Sequence, residues 1–329
     1  MGNASKPIAL ALQGGGSHSA FAWGAVDRLL TEEAVHIEAI SAVSGGAMMA
    51  AVLAQGMMEG GRETARKQLE TFWRKVSLAM SLFPLRMNLA DKFLGHAGID
   101  LSPSSMALDY ITRIFSPYQF NLFDINPLRG IVEEMVDFEA LQKSPVALYI
   151  GATHARTGKA EIFSREQLSL DAVMASSCLP FVFKTVEIDG EPYWDGSFSG
   201  CPPLFPLAES KGTPDIVLVQ VNSAYVEEVP TSAADILDRA NEISFHSVLL
   251  HELKTIALQN KTAARPVHVH RIEAQDMLAS LGRASKLNAD WNFLTYLRDL
   301  GAQAAEDWLK ASRDKLGRES SLDISALAA

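Results

Sequence analysis

The chain has 329 residues, 48% of them hydrophobic, and sets 29 Lys and Arg against 39 Asp and Glu for a formal net charge of −10. That length accommodates one large α/β domain or two ordinary ones with ample apolar material for a core. The acidic balance argues against a duplex nucleic-acid partner, which calls for a basic stripe to neutralise phosphates.

No stretch approaches the roughly 20 uncharged apolar residues of a spanning helix, so any membrane contact would be peripheral. The two cysteines, Cys178 and Cys201, have neither metal-ligand spacing nor the density of a disulfide framework. They fit a reducing compartment, and a cytoplasmic location is the expectation. The opening "MGNASKPIALALQGGG" holds one lysine and a short apolar run that breaks into glycines, so no secretory leader is expected. "MGNASK" misses the acylation pattern because Lys6 stands where a hydroxyl residue is needed.

Residues 1–7 read as a tail. An apolar run at residues 8–12 then ends in "QGGG", and "SHSAFAWGAVDRLLTEEA" places Phe21, Val26, Leu29 and Leu30 at helical spacing, which predicts strand, glycine loop and helix. Residues 37–43 read as a second buried strand, 44–46 as a tight turn, and 47–76 as helical segments interrupted near "EGGRE". Successive crossovers of this kind imply a three-layer α/β/α fold around a mostly parallel sheet, with its site at the carboxyl ends of the strands.

Periodicity fails over residues 77–126, a segment rich in apolar residues and proline that includes "LAMSLFPLRMNLADKFLGHAGIDL". It reads either as an apolar lid or membrane-facing insert, or as a loop packed into the core. Asn126 as N-cap and Pro127 at the first helical position restart a helix. "VALYIGATHARTGKAEIF" predicts a hairpin turning at Thr157-Gly158-Lys159, and "SLDAVMASS" predicts a helix. "KTVEIDGEPYWDGSF" predicts a second hairpin turning at Asp189-Gly190, with Asp195-Gly196 just past its second strand. A buried strand "DIVLVQVN", a long helix over residues 233–260, a strand "PVHVHRIE" and a helix through Trp291, Leu294, Leu297 and Trp308 follow. There is no internal repeat and no separating linker, so residues 208–329 are expected to complete the domain begun at residue 8.

Three of these pieces carry chemistry. "SAVSGGAMMA" nearly matches the strand-to-helix elbow G-x-S-x-G of serine hydrolases, with Ser44 and Gly46 in place and Ala42 for the first glycine. If position 42 needs a positive φ, its Cβ strains the turn by about 1–2 kcal/mol. The loop of Gly14, Gly15 and Gly16 can present consecutive amides, backed by the positive end of the next helix, as an oxyanion hole. A dinucleotide cradle would ask for glycine where Ser19 stands, and lacks a well-placed acidic ribose ligand. Asp195 in "YWDGSFSG" is the best base, since Tyr193 and Trp194 could dry its carboxylate and raise its pKa.

"GGGSHSAF", "AVSGGA" and the "DGS" at Asp195, in that order, resemble the patatin-like phospholipases and acyl hydrolases, bacterial relatives of the plant storage lipase. The similarity covers residues 8–207, with "ASSCLPFVFKTVEIDGEPYWDGS" as the closing block. The resemblance implies a patatin-like serine hydrolase fold and release of fatty acid from phospholipids and other acyl esters. It also implies a Ser44–Asp195 dyad that needs neither histidine nor cofactor. Three positions depart from the family pattern besides Ala42: Ser19 replaces the last loop glycine, His18 stands where arginine or lysine is frequent, and Ser197 replaces a second glycine after the aspartate.

Other readings use other residues. A Ser-Asp-His triad would draw on His246, His251, His268 or His270. His268 and His270 share a strand face like a metal pair but lack a third ligand, so no metal is expected. The same chemistry could serve hydroxyalkanoate oligomers or short esters, and Ala42 with Ser19 could mark an inactive binding protein on the scaffold. No oligomeric state is specified.

Overall fold

The computed structural model describes residues 5–82, 115–222, 225–227, 229–274, 277–278, 281 and 283–328. Most of the apolar segment expected as a lid, residues 83–114, therefore lies outside the described residues.

β1 (Lys6–Leu12) sets Ile8, Leu10 and Leu12 into one core and Ala9 and Ala11 into another. Burial on both faces is why the sequence reads as an unbroken apolar run. The strand begins at Lys6, inside the segment expected as a tail. After the glycine loop come α1 (Ser19–Leu30), β2 (Val35–Ala42) and α2 (Gly45–Leu82). The "EGGRE" interruption is a kink at Gly60 and Gly61, the latter at φ 71°. Beyond it α2 continues through Leu82, so helix occupies the first residues expected to be irregular.

α3 (Pro127–Met135) starts as expected, with the Asn126 side chain accepting from the Leu128 amide. β3 (Ala147–His154) and β4 (Ala160–Phe163) form the first hairpin, and α4 (Leu170–Ser176) follows. β5 (Val186–Ile188) and β6 (Glu191–Asp195) form the second hairpin. Asp189 at φ 53° and Gly190 at φ 80° supply the two positive angles its tight turn requires. The chain ends through β7 (Asp215–Val219), α5 (Ala233–Asn260), β8 (His268–Ile272) and α6 (Trp291–Ser312).

The strands make one eight-stranded sheet in the order β5-β6-β3-β2-β1-β7-β8, with β4 also paired to β3. β1, β2, β3, β7 and β8 run parallel, while β4, β5 and β6 bring the antiparallel edge. Phe21 and Trp23 of α1, Met49 and Leu53 of α2, Val132 of α3 and Phe293 of α6 pack into the core on one face. On the other, Leu249, Leu253 and Ile256 of α5 cover Ala9, Ala11, Ile216 and Leu218. The result is three layers, helix, sheet and helix. The chain leaves β1 toward β2 on one side and later returns to β7 on the other, so a crevice opens at the carboxyl end of β1, where ligands bind in such sheets. Among the described residues no helix is long and apolar enough to cross a membrane.

Candidate active site

Ser44 sits between the end of β2 and the start of α2 with φ 56°. The left-handed angle thus falls on the serine itself. Ala42 is a regular strand residue, fully buried and paired with Leu12 and Ile150, so the strain expected there, about 1–2 kcal/mol, belongs to Ser44 instead. The Ser44 amide donates to the carbonyl of Ser176 at 3.1 Å and to its hydroxyl at 3.0 Å, which ties the turn to the end of α4. Gly46 must be small: a Cβ there would lie 2.7 Å from the Leu12 carbonyl oxygen and 2.8 Å from that of Gln13. Only glycine lets the first turn of α2 rest on the tip of β1.

The glycine loop lies against this elbow. A Cβ on Gly14 would collide with that of Ser44 and stand 3.2 Å from Ser197 Oγ. Gly16, at φ 57°, has room for no side chain because the Lys286 carbonyl lies over it. Among the described residues the amides of Gly14, Gly15 and Gly16 have no acceptor. Ser19 is fully buried at the start of α1, its hydroxyl without a hydrogen-bond partner among the described residues. His18 is buried with Nε2 2.7 Å from Ser285 Oγ, and burial together with Lys286 pushes it down to about 3. It is neutral, so it adds no cation beside the loop.

Asp195 closes β6, paired with Ala152 of β3, and is 1% exposed. Its amide donates to the Cys178 carbonyl at 2.8 Å, and its own carbonyl accepts from Thr153 Oγ1 at 2.8 Å. Oδ1 accepts from the Ser197 amide at 2.9 Å, while Oδ2 is buried with no hydrogen-bond partner among the described residues. Burial pushes this carboxyl above the usual carboxylate range; the Ser197 amide and the hydroxyls of Ser44 and Ser197 pull it back. The Ser44 hydroxyl thus lowers the carboxyl's pKa, yet it completes no hydrogen bond to Oδ2. Gly196 is pressed onto β3, where a Cβ would meet the Gly151 carbonyl, which is why glycine follows the aspartate.

Ser44, Gly46, Gly14, Asp195 and Ser197 are therefore brought together at one end of the sheet. Two of the four late histidines are engaged elsewhere: His270 bonds Asp215 and Ser321, each at 3.1 Å, and His251 donates Nδ1 to the Ser247 carbonyl at 2.7 Å. No group of three or more His, Cys, Asp or Glu among the described residues could hold a metal ion. Sequence reasoning missed Ser176, Gln13 and Asn222. Gln13 Nε2 donates to the Cys201 carbonyl at 3.1 Å, and its Oε1 accepts the amides of Val221 at 2.9 Å and Asn222 at 3.1 Å. Partners 188 to 209 positions apart leave no local pattern to read.

A comparison with curated proteins finds no match. Among solved structures, VipD from Legionella pneumophila is similar at 14% identity and TM-score 0.42, over 94% of this chain and 67% of that one. Full-length ExoU from the type III secretion system of Pseudomonas aeruginosa, solved in complex with SpcU, gives 14% identity and TM-score 0.33 over 93% and 54% of the respective chains. The profile of one family, described as Patatin-like phospholipase, matches residues 10–208, from β1 through the glycine loop, elbow and Asp195. With more than half its length matched, the chain belongs to the patatin-like phospholipase family.

Proposed function

We propose that the protein is a serine acyl-ester hydrolase of the phospholipase A type, working through a Ser44–Asp195 dyad. Asp195 removes the proton from Ser44 Oγ as Oγ bonds to the ester carbonyl carbon, and the carbonyl electron pair moves onto oxygen. The amides of Gly14, Gly15 and Gly16 receive that oxyanion; one such donor is worth about 3–4 kcal/mol of barrier. The tetrahedral centre then expels the alcohol, which takes the proton from Asp195 and leaves an acyl-serine. Water repeats the sequence, with Asp195 as base, to release the fatty acid. Only protons and an acyl group move.

One observation carries this reading: a buried, desolvated carboxylate, one of whose oxygens has no partner among the described residues, stands beside a serine held at a left-handed elbow. Apolar surface favours a lipid substrate over short esters. Leu179 and Phe181 are exposed just after Cys178, whose carbonyl holds the Asp195 amide. The Tyr118 hydroxyl, 2.9 Å from Thr185 Oγ1, brings exposed Phe120, Leu122 and Phe123 to the same region. Peripheral contact with a lipid surface follows from that placement as part of the proposal.

The test is hydrolysis of a nitrophenyl ester series from acetate to palmitate by wild type, Ser44→Ala and Asp195→Asn. Each variant is expected to lose at least about 10³-fold in kcat while melting as a folded protein, and wild type to prefer the longer chains. Retention of more than about a hundredth of wild-type turnover by either variant contradicts the dyad.

A further inference from the structure

The glycine loop is held from outside the region that the family profile matches. Asn222, three residues beyond the end of β7, donates Nδ2 to the Gly14 carbonyl at 2.8 Å. The Gly14–Gly15 peptide is trans, so its C=O and N–H point in opposite directions. β7 flanks β1 on the side away from β2. With the Gly14 carbonyl drawn to the β7 side, the Gly15 N–H is turned toward the β2 side, where Ser44 stands.

Asn222 is itself anchored. Its amide donates to Gln13 Oε1 at 3.1 Å, and its carbonyl accepts from Gln220 Nε2 at 3.0 Å. Gln13, 2% exposed, reaches with Nε2 to the Cys201 carbonyl in the segment that follows Asp195. One buried amide thus ties the tip of β1, the tip of β7 and the carboxylate's segment together, and Asn222 passes that fixation to a single peptide of the loop.

We infer that Asn222 is a positioning residue for the oxyanion hole: it sets the Gly14–Gly15 peptide so that the Gly15 N–H faces the oxygen that becomes negative when Ser44 attacks. This rests on the proposed acyl-transfer reading. Preorganisation of such a donor lowers the transition state without tightening ground-state binding. Loss of the side-chain amide leaves the peptide free to rotate, and an aspartate there replaces the donor with an acceptor facing the Gly14 carbonyl.

The experiment measures kcat, KM and the inhibition constant of a trifluoromethyl ketone, which forms a tetrahedral oxyanion on the serine, for wild type, Asn222→Ala, Asn222→Asp and Ser44→Ala. For both Asn222 variants kcat is expected to fall about 10- to 100-fold with KM within about twofold. Affinity for the ketone should weaken by the same factor as kcat/KM, whereas a non-hydrolysable ether analogue should bind as before. An effect on thermal stability with kcat and ketone affinity unchanged overturns the inference and leaves Asn222 a purely structural residue. Equal loss of ketone and ether binding overturns it as well. If Ser44→Ala keeps its activity, the acyl-transfer reading itself fails, which the Asn222 variants alone would not reveal.

Discussion

Two buried aspartates lie at opposite ends of the same sheet and are treated by the fold in opposite ways. Asp215, at the start of β7, is 3% exposed and fully engaged. The Gly317 amide donates to both of its oxygens at 2.9 Å, and His270 Nε2 stands 3.1 Å from Oδ1. Asp195, at the end of β6, is buried as deeply but has one oxygen satisfied and one without a partner among the described residues. A buried polar group left without a partner costs about 1–3 kcal/mol, and a fold tolerates that where the free lone pair has something to do. The Asp215 network pins the C-terminal segment; the Asp195 arrangement leaves one carboxylate oxygen open, which the proposed reaction uses as its base.

Substitutions at the two ends break this contrast in different currencies. The largest effect is on turnover, where Asp195→Asn loses at least about 10³-fold in kcat and Asp215→Ala stays near wild type. The next is on stability. Asp215→Ala removes the acceptor of the Gly317 amide and the partner of His270 Nε2 together and is expected to lower unfolding free energy by about 3 kcal/mol in a denaturant titration. A loss of turnover at constant stability for Asp215→Ala would show that the far end feeds the site.

The smallest effect sharpens the comparison. Because burial raises the Asp195 pKa in the folded state, its charged form destabilises the protein at every pH above that raised value. The penalty shrinks as pH falls below that raised value and is gone only once pH is below the ordinary carboxylate range. Asp195→Asn should therefore melt at a higher temperature than wild type at neutral pH, with the difference shrinking toward acid. The same shift places the acid limb of kcat/KM above the ordinary carboxylate range, since only the ionised carboxylate accepts the proton. A variant that melts lower than wild type at neutral pH would mean that the charge is stabilised by the fold.

Much of this was legible in the chain because it is written locally. Apolar runs closed by "GGG" and "SGG" announced two strands feeding glycine turns, and the Asp189-Gly190 turn, the Asn126 cap and both late strands lie where spacing put them. What escaped reading depends on distant partners. Position 42 looked strained only by analogy with a pattern; in space the strand runs on through Ala42 and the left-handed angle passes to Ser44. Asp195 was identifiable as a carboxylate after a strand, but an Oδ2 with no partner among the described residues follows from packing that no neighbour in sequence encodes. Ser176 braces the elbow from 132 residues away, and Asn222 holds the loop across 208. Such bonds are specified by the sheet order, which becomes visible only once β7 is seen beside β1.

In the proposed mechanism Asp195 activates Ser44, and covalent trapping of the serine reads that activation out. Wild type, Ser44→Ala and Asp195→Asn would be exposed to a fluorophosphonate, with the adduct located by peptide mass spectrometry and its rate followed against pH. One adduct is expected, on Ser44, with a rate in wild type that falls as pH drops through the raised Asp195 pKa. Asp195→Asn should label at least about 10²-fold more slowly. An adduct on another residue, or unchanged labelling of Ser44 in Asp195→Asn, would contradict the proposed activation.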